Sequence, residues 1–505
     1  MKLNSEGLKN TNEWTEKGYS LPHYDREGVK RNTVSNPKWI HFGAGNIFRA
    51  FQANVVEKLL NESVIDTGLI VAEGYDYEIV EKMNRPHDDL SILVTLKANG
   101  RVEKTVVGSI VESCILDEEN EKEIGRLKEI FRAPSLQMVS FTITEKGYKN
   151  AAYMSKVTRL LYERYLAGSL PVAMVSMDNC SHNGDKLYEA VMEFAKKWEE
   201  EGVCEKGFVD YAADKSKVSF PLSMIDKITP RPDANIEKIL LEDGIEDLAQ
   251  LVTSKNTYVA PFVNAEETEY LVIEDKFPNG RAPYEKGGII FTDRETVDKT
   301  EKMKVCTCLN PLHTALAVFG CLLGYKSIHD EMDDEVLSSL VRKLGYAEGM
   351  PVVVDPKVIS PRDFIKAVLE LRLPNPFMPD TPQRIACDTS QKLPIRFGET
   401  IKAYRASSEL STDSLTLIPL VLAGWCRYLK GIDDEGNEFE LSPDPLLYEV
   451  TKMDVKDILK KKEIFGVDLF EDGLADKILA MYEEMQEGPG SVRKVLKKYV
   501  DSVLA

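Results

Sequence analysis

Lys304, Asn310 and His313 fall within one ten-residue segment, KVCTCLNPLH, at 304–313. A lysine, an amide and an imidazole on neighbouring helical turns can move a proton and hold an oxyanion without a metal ion. If the segment is helical, Asn310 and His313 are three apart and share a face. Lys304 precedes Asn310 by six residues, about 600° of rotation at 3.6 residues per turn, so its stem must reach obliquely toward the pair. A solvated lysine and a core histidine would leave the same trace, so the segment gains meaning only beside others.

GAGNIFR at 43–49 follows a short apolar run and precedes an amphipathic one. Gly43 permits a tight turn and Gly45 lets backbone approach a pyrophosphate at a helix start. Phe48 stands where the usual fingerprint has its third glycine, and Arg49 follows. Asn46, Phe48 and Arg49 join the two glycines as candidate cofactor contacts. Glu73 ends the next apolar run, where an acid accepts the adenosine ribose hydroxyls and repels a 2′-phosphate, favouring NAD over NADP. Asp76 competes for that role. In SMDNCSHNG at 176–184, Asn179 offers an uncharged donor for a developing alkoxide, or the segment is an Asx-rich turn. SMIDKITPR at 223–231 reads as a turn carrying Asp226 and Lys227. In QRIACDTSQKLPIRF at 383–397, Arg384, Lys392 and Arg396 form a basic group suited to a carboxylate or a polyhydroxylated anion, or a solvated face.

These residues need elements to position them. Residues 1–37 read as a polar, irregular leader. From residue 38 the pattern predicts strands at WIHF, GLIVAEGY, SILVTL, KTVVGSIVES, QMVSFTI and PVAMVSM, alternating with helical stretches. That alternation implies a mostly parallel sheet with crossover helices. After about residue 290 the segments TALAVFGCLLGY, DDEVLSSLVRKLGY, PRDFIKAVLELRL, SLTLIPLVLAGWCRYLK and GSVRKVLKKYVDSVLA carry a 3.6-residue period. The expectation is an α/β domain over 1–290 and a mainly α-helical one over 291–505, with the boundary in polar ground at roughly 264–300.

With 505 residues the chain is too long for one core, and its net charge of −19 disfavours a nucleic-acid partner. No signal-peptide pattern and no uninterrupted apolar run of 18 residues is present, so no membrane association is expected. Eight scattered cysteines without zinc spacing point to reduced thiols and a cytoplasmic setting. Six scattered histidines disfavour a metal-dependent dehydrogenase, and no metal site is expected.

Seven segments in order, IHFGAGNIFRAFQA, FTITEKGY, SMDNCSHNG, SMIDKITP, LVIEDKFPNGR, KVCTCLNPLH and DTSQKLPIRF, resemble the polyol-specific long-chain dehydrogenase/reductase family over most of the chain. The resemblance implies an N-terminal Rossmann-type doubly wound domain, a helical C-terminal domain, a cleft between them and metal-independent hydride transfer with NAD. By position, Lys304 matches the family's general base, and Asn179 and Asn310 match the amides holding the alkoxide. His313 matches the substrate-orienting histidine, and Arg384, Lys392 and Asp226 the substrate contacts. The family's lysine usually stands five residues before the asparagine; here Val305 does. Glu301, three before Lys304, keeps the family's spacing, which favours a one-residue insertion or bulge, with Lys302 as the alternative base. A lysine serves as a base only if its pKa is lowered toward the working pH. The implied reaction interconverts a sugar acid and its keto form, with D-mannonate/D-fructuronate first and tagaturonate/altronate or mannitol/fructose as alternatives. A protein that senses NAD without catalysis would have no need for the lysine and amides. The oligomeric state, monomer or dimer, is left open.

Overall fold

The computed structural model describes residues 1–504. The chain divides into one unit of Met1–Lys97 with Arg101–Asp298, and a second of Lys299–Ala505 with Ala98–Gly100. The first unit therefore ends at Asp298, inside the polar ground of roughly 264–300 and a few residues beyond the expected 290.

The first unit is built on six strands: β1 (Trp39–Phe42), β2 (Leu69–Glu73), β3 (Ile110–Ile115), β4 (Met138–Phe141), β5 (Val172–Ser176) and β6 (Val218–Ser219). Every pairing among them is parallel and their order is β3-β2-β1-β4-β5-β6, the order of a doubly wound nucleotide-binding sheet. Unbroken apolar runs suit strands covered on both faces. Trp39, Leu69, Val71 and Val175 pack into one core, while Ile40, Phe42, Ile70 and Met174 pack into the other. Helices α1 (Asn46–Ala50) and α2 (Gln52–Asn61) follow β1, and α3 (Glu121–Arg132), α4 (Ala151–Leu166) and α5 (Asn183–Glu200) are the later crossovers.

Three expectations change. SILVTL and the first half of KTVVGSIVES form an antiparallel hairpin, Ser91–Leu96 with Val102–Val107, in a separate mixed sheet; the second half supplies β3. Strand existence is a local property, but pairing is not. The ground before Asp298 holds further strands, Phe262–Glu266, Tyr270–Glu274 and Ile290–Thr292. The leader is not irregular. It holds a helix at Arg26–Ser35, N-capped by Asp25 accepting from Gly28, and its Tyr19–Ser20 pairs with the hairpin.

The second unit is helical. α6 (Arg294–Met303) leads into it, α7 (Asn310–Leu322) and α8 (Leu417–Tyr428) are its most buried helices, and Gly424 admits the ring of Phe319 where a Cβ would lie 2.9 Å from Cζ. The start of α8 is closed by the buried Glu348 carboxylate, which accepts from the N–H groups of Thr416, Leu417 and Ile418 at 2.6–2.8 Å. Arg294–Leu322 is long and apolar enough to cross a membrane, but 78% of its apolar window is buried inside the fold, as in a core helix.

Candidate functional site

The glycine turn joins β1 to α1. Gly43 has φ +108°, and a Cβ there would stand 2.4 Å from the carbonyl oxygen of Thr142. Only glycine fits, because both the conformation and the neighbouring backbone exclude a side chain. Gly45 meets nothing within 4 Å of where a Cβ would be, so this stretch of backbone is open to approach by a ligand. Phe48 is buried and stacks on His41 of β1 with ring centroids 4.0 Å apart and planes at 3°. His41 is held by Ser140 Oγ at 2.6 Å and Thr142 Oγ1 at 2.8 Å, and burial pushes its pKa well below the usual range. An aromatic pair thus does the helix-to-strand packing for which the fingerprint uses its third glycine. The buried Arg49 guanidinium donates to Ala260 O at 2.7 Å and to Asn46 Oδ1 at 2.9 Å, so both residues brace the turn.

Glu73 ends β2. One of its oxygens accepts from Ala44 N at 2.9 Å, the other from Tyr75 N at 2.8 Å and Asp76 N at 3.1 Å. Burial raises its pKa while these three N–H groups lower it. Asp76 is buried and accepts from Thr253 Oγ1 at 2.5 Å. Of the two acids competing for the ribose, Glu73 is therefore the one tied to the glycine turn. A turn closed by Gly43, opened at Gly45 and flanked by a carboxylate at the adjacent strand end has the parts that a dinucleotide requires.

Asn179 lies exposed just beyond β5, and Asp226 is the buried last residue of Ser223–Asp226, opposite Tyr270 in an antiparallel pair. Lys227 donates to Glu266 O at 3.0 Å and to Glu269 at 2.8 Å.

In the second unit, Lys304, Asn310 and His313 ride on one continuous helical run. Between α6 and α7 the chain makes a π-helical turn over Lys304–Cys308, closed by Leu309 N donating to Lys304 O at 3.1 Å. A π-turn is a one-residue insertion into an α-helix. The extra residue between Lys304 and Asn310 is absorbed there, and Asn310 still opens α7. Lys304 is only 3% exposed, whereas Lys302, on the preceding α-turn, is exposed.

His313 faces Asp380, with Nε2 3.6 Å from the carboxylate. Burial pushes the imidazole pKa down to about 4; Asp380 pulls it up, and Arg396, Arg372 and Arg384 push it further down. Arg384 pairs with Asp380 four residues earlier and keeps a side chain 62% exposed. Arg396 reaches α7, donating to Thr314 Oγ1 at 2.5 Å, and burial lowers its pKa to about 10. Lys392 donates to the carbonyls of Cys387 at 2.5 Å and Ile385 at 3.4 Å, and its pKa is lowered by burial, then by Arg396. The fold thus gathers His313, Arg384, Lys392 and Arg396, and adds Arg372, Asp380 and Thr314, which sequence reading missed. Arg372 sits in the apolar pattern ELRLP, and Asp380 in PDTP reads as a helix-capping acid; neither carries a local sign of its role. Among the described residues, no three His, Cys, Asp or Glu side chains gather at metal-ligating distance.

Comparison with known proteins adds family membership to this geometry. The family model described as the mannitol dehydrogenase Rossmann domain matches residues 37–286, and that of the mannitol dehydrogenase C-terminal domain matches residues 296–486. A D-mannonate oxidoreductase of Thermotoga maritima is 50% identical, covering 99% of both chains. A mannitol 2-dehydrogenase of Pyrenophora tritici-repentis is 29% identical over 94% of this chain and 81% of its own. Among solved structures, the Pseudomonas fluorescens mannitol 2-dehydrogenase ternary complex with NAD and D-mannitol superposes with a TM-score of 0.71, at 26% identity, over 99% of this chain and 100% of that one.

Proposed function

The chain belongs to the mannitol dehydrogenase family, and we propose that it is an NAD-dependent oxidoreductase interconverting D-mannonate and D-fructuronate. The observation that carries the sugar-acid reading is the cationic group of Arg372, Arg384, Lys392 and Arg396 around His313. Four cations held together, Arg372 buried and Lys392 and Arg396 half-buried, suit a carboxylate, which would take charge-assisted hydrogen bonds from them; a neutral polyol would use them only as hydroxyl donors. The full-length relative named D-mannonate oxidoreductase supports the same class.

Gly43, Gly45 and Glu73 would hold the dinucleotide, whose nicotinamide ring supplies the hydride chemistry when bound. In the oxidation direction Lys304 Nζ takes the proton of the secondary hydroxyl, and in reduction it returns it to the alkoxide. Burial of Lys304 against exposure of Lys302 supports the first as base, since a base shielded from bulk water keeps its proton exchange with the substrate. Asn310 presents its amide to the developing alkoxide, and we assign the same role to Asn179. His313, neutral at pH 7, orients a substrate hydroxyl while the guanidiniums hold the carboxylate. The eight cysteines are free thiols, which supports a reducing cytoplasmic setting.

Purified protein assayed by NADH absorbance with fructuronate, tagaturonate and fructose tests this. Fructuronate is expected to be reduced with at least roughly tenfold higher kcat/KM than fructose, about 1.4 kcal/mol and within the worth of one charged hydrogen bond. Activity should persist in EDTA. Preference for fructose would replace the sugar acid by a polyol, and preference for tagaturonate would change the stereochemistry assigned to the substrate.

A further inference from the structure

The segments FTITEKGY, SMDNCSHNG and SMIDKITP meet in a single buried network that holds the chain on both sides of Asn179. The carboxylate of Asp178, next to it in the chain, is buried and accepts from the backbone N–H groups of Ile143 at 3.1 Å and Thr144 at 2.7 Å, and from the hydroxyl of Tyr148. Tyr148 Oη also lies 2.6 Å from Ser176 Oγ, at the end of β5. On the other side of Asn179, the Asn183 side chain donates to Asp178 O at 2.9 Å and to Ser223 O and Oγ at 3.0 Å, and accepts from Ser223 N at 3.0 Å. Ser223 Oγ closes the ring by donating to Ser176 O at 2.5 Å.

Two backbone features show that this network is built tightly. Thr144 sits at φ +64°, a region a β-branched residue enters only when its surroundings force it, and its N–H is the one that Asp178 holds most closely. Gly184 lies so near the Phe220–Pro221 backbone that a Cβ would stand 2.6 Å from Pro221 O and 2.7 Å from Phe220 O. The loop 178–183 is thus pinned at both ends, Asp178 to the turn after β4 and Asn183 to the strand Ser223–Asp226, while Asn179 between them is exposed.

We propose that Tyr148, Asp178, Asn183 and Ser223 are positioning residues that fix the amide of Asn179 for the oxyanion; the inference rests on the role assigned to Asn179 above. An oxyanion donor works through preorganisation, and a displacement of about 1 Å can cost as much as roughly a hundredfold in rate. Tyr148→Phe removes one hydroxyl and leaves the ring in its core. It is expected to lower kcat by between roughly tenfold and a hundredfold with the KM for NADH nearly unchanged, and to lower the thermal midpoint by only a few degrees, since Asp178 loses one buried donor.

The test is a double-mutant cycle on kcat with Asn179→Ala. A positioning role predicts that Tyr148→Phe adds little once Asn179 is gone, because the amide it positions is absent. Equal loss in both backgrounds, or no loss in either, overturns the proposal. Should Tyr148→Phe fail to fold, Ser223→Ala enters the same cycle. Asn179→Ala with wild-type kcat would overturn the role of Asn179 itself, a result distinguishable from an additive cycle. Wild-type protein inactive on every hexuronate and polyol would instead sink the proposed function.

Discussion

The acids at the strand ends of the first unit and the cations around His313 in the second handle buried charge differently. Glu73 accepts from three backbone N–H groups, and Asp178 accepts from two together with a tyrosine hydroxyl. These carboxylates are neutralised by dipoles that belong to the scaffold, as buried anions must be. Around His313, one carboxylate, Asp380, raises the imidazole pKa and three guanidiniums lower it. The first arrangement holds loops still and satisfies itself. The second carries a surplus of positive field, in a protein of net charge −19, that an anion from outside can use. Local surplus, and not local charge, is what suits the second region to an anionic substrate.

The largest effect expected bears on the helix that joins the proton-handling group to that surplus. Lys304→Ala should lower kcat by about a hundredfold to ten-thousandfold, the range for loss of a general acid–base group, while NADH affinity by fluorescence titration stays close to wild type. Lys302→Ala should remain active. The reverse pattern would move the base two residues back and detach it from the π-turn.

The cationic group comes next. Arg396 is half-buried and anchored on α7 through Thr314, whereas Arg384 is largely exposed and already paired with Asp380. Arg396→Gln should therefore cost roughly tenfold to a hundredfold in kcat/KM for a hexuronate, the worth of one charge-assisted hydrogen bond, and much less for fructose. Arg384→Gln should narrow the same gap by a smaller factor, since Asp380 already shares its charge. Equal losses on hexuronate and fructose would mean the guanidiniums support the fold and do not read the carboxylate.

The glycine turn and the lysine–amide–imidazole segment were legible in the sequence because each is contiguous: Gly43 to Arg49 is one strand–turn–helix, and 304–313 one helical run. The extra residue before Asn310 was legible as a spacing, and its π-turn is the physical form of that spacing. What the sequence did not disclose is assembled over distance. Asp380 and Arg372 reach His313 from other segments. Tyr148, Asn183 and Ser223 have polar side chains that read as turn or cap residues until the fold closes them into a network. The helix Arg26–Ser35 hid in the leader because only Val29 and Thr33 are buried along it, too few to show a period.

Glu73 sharpens the first half of the comparison. Replacing it by serine removes the carboxylate that would repel a 2′-phosphate, so NADPH use should improve relative to NADH by roughly tenfold. Because the same carboxylate holds Ala44, Tyr75 and Asp76, absolute activity with both cofactors should drop. A wild type that already prefers NADPH would reject Glu73 as the selector.

The smallest effect is one of stability, and it separates the two regions by sign. His313 has a folded pKa of about 4 against an ordinary 6.5. Between those values the unfolded chain binds more protons than the folded one, so stability from this group rises with pH and is lost as pH falls from 6.5 toward 4. Glu73 and Asp178 have raised folded pKa values. Their folded forms bind the extra proton, and their contribution falls as pH rises above the ordinary carboxylate range. His313→Gln keeps a neutral polar side chain at every pH and removes only the first slope. Thermal midpoints from pH 7 to pH 4.5 should therefore fall less in His313→Gln than in wild type, by a difference of about 1–3 kcal/mol, or several degrees. Parallel curves would mean that His313 gains its proton as readily in the folded protein as in the unfolded chain. Burial and the guanidiniums, which push the imidazole down, would then be offset in full by Asp380, which pulls it up.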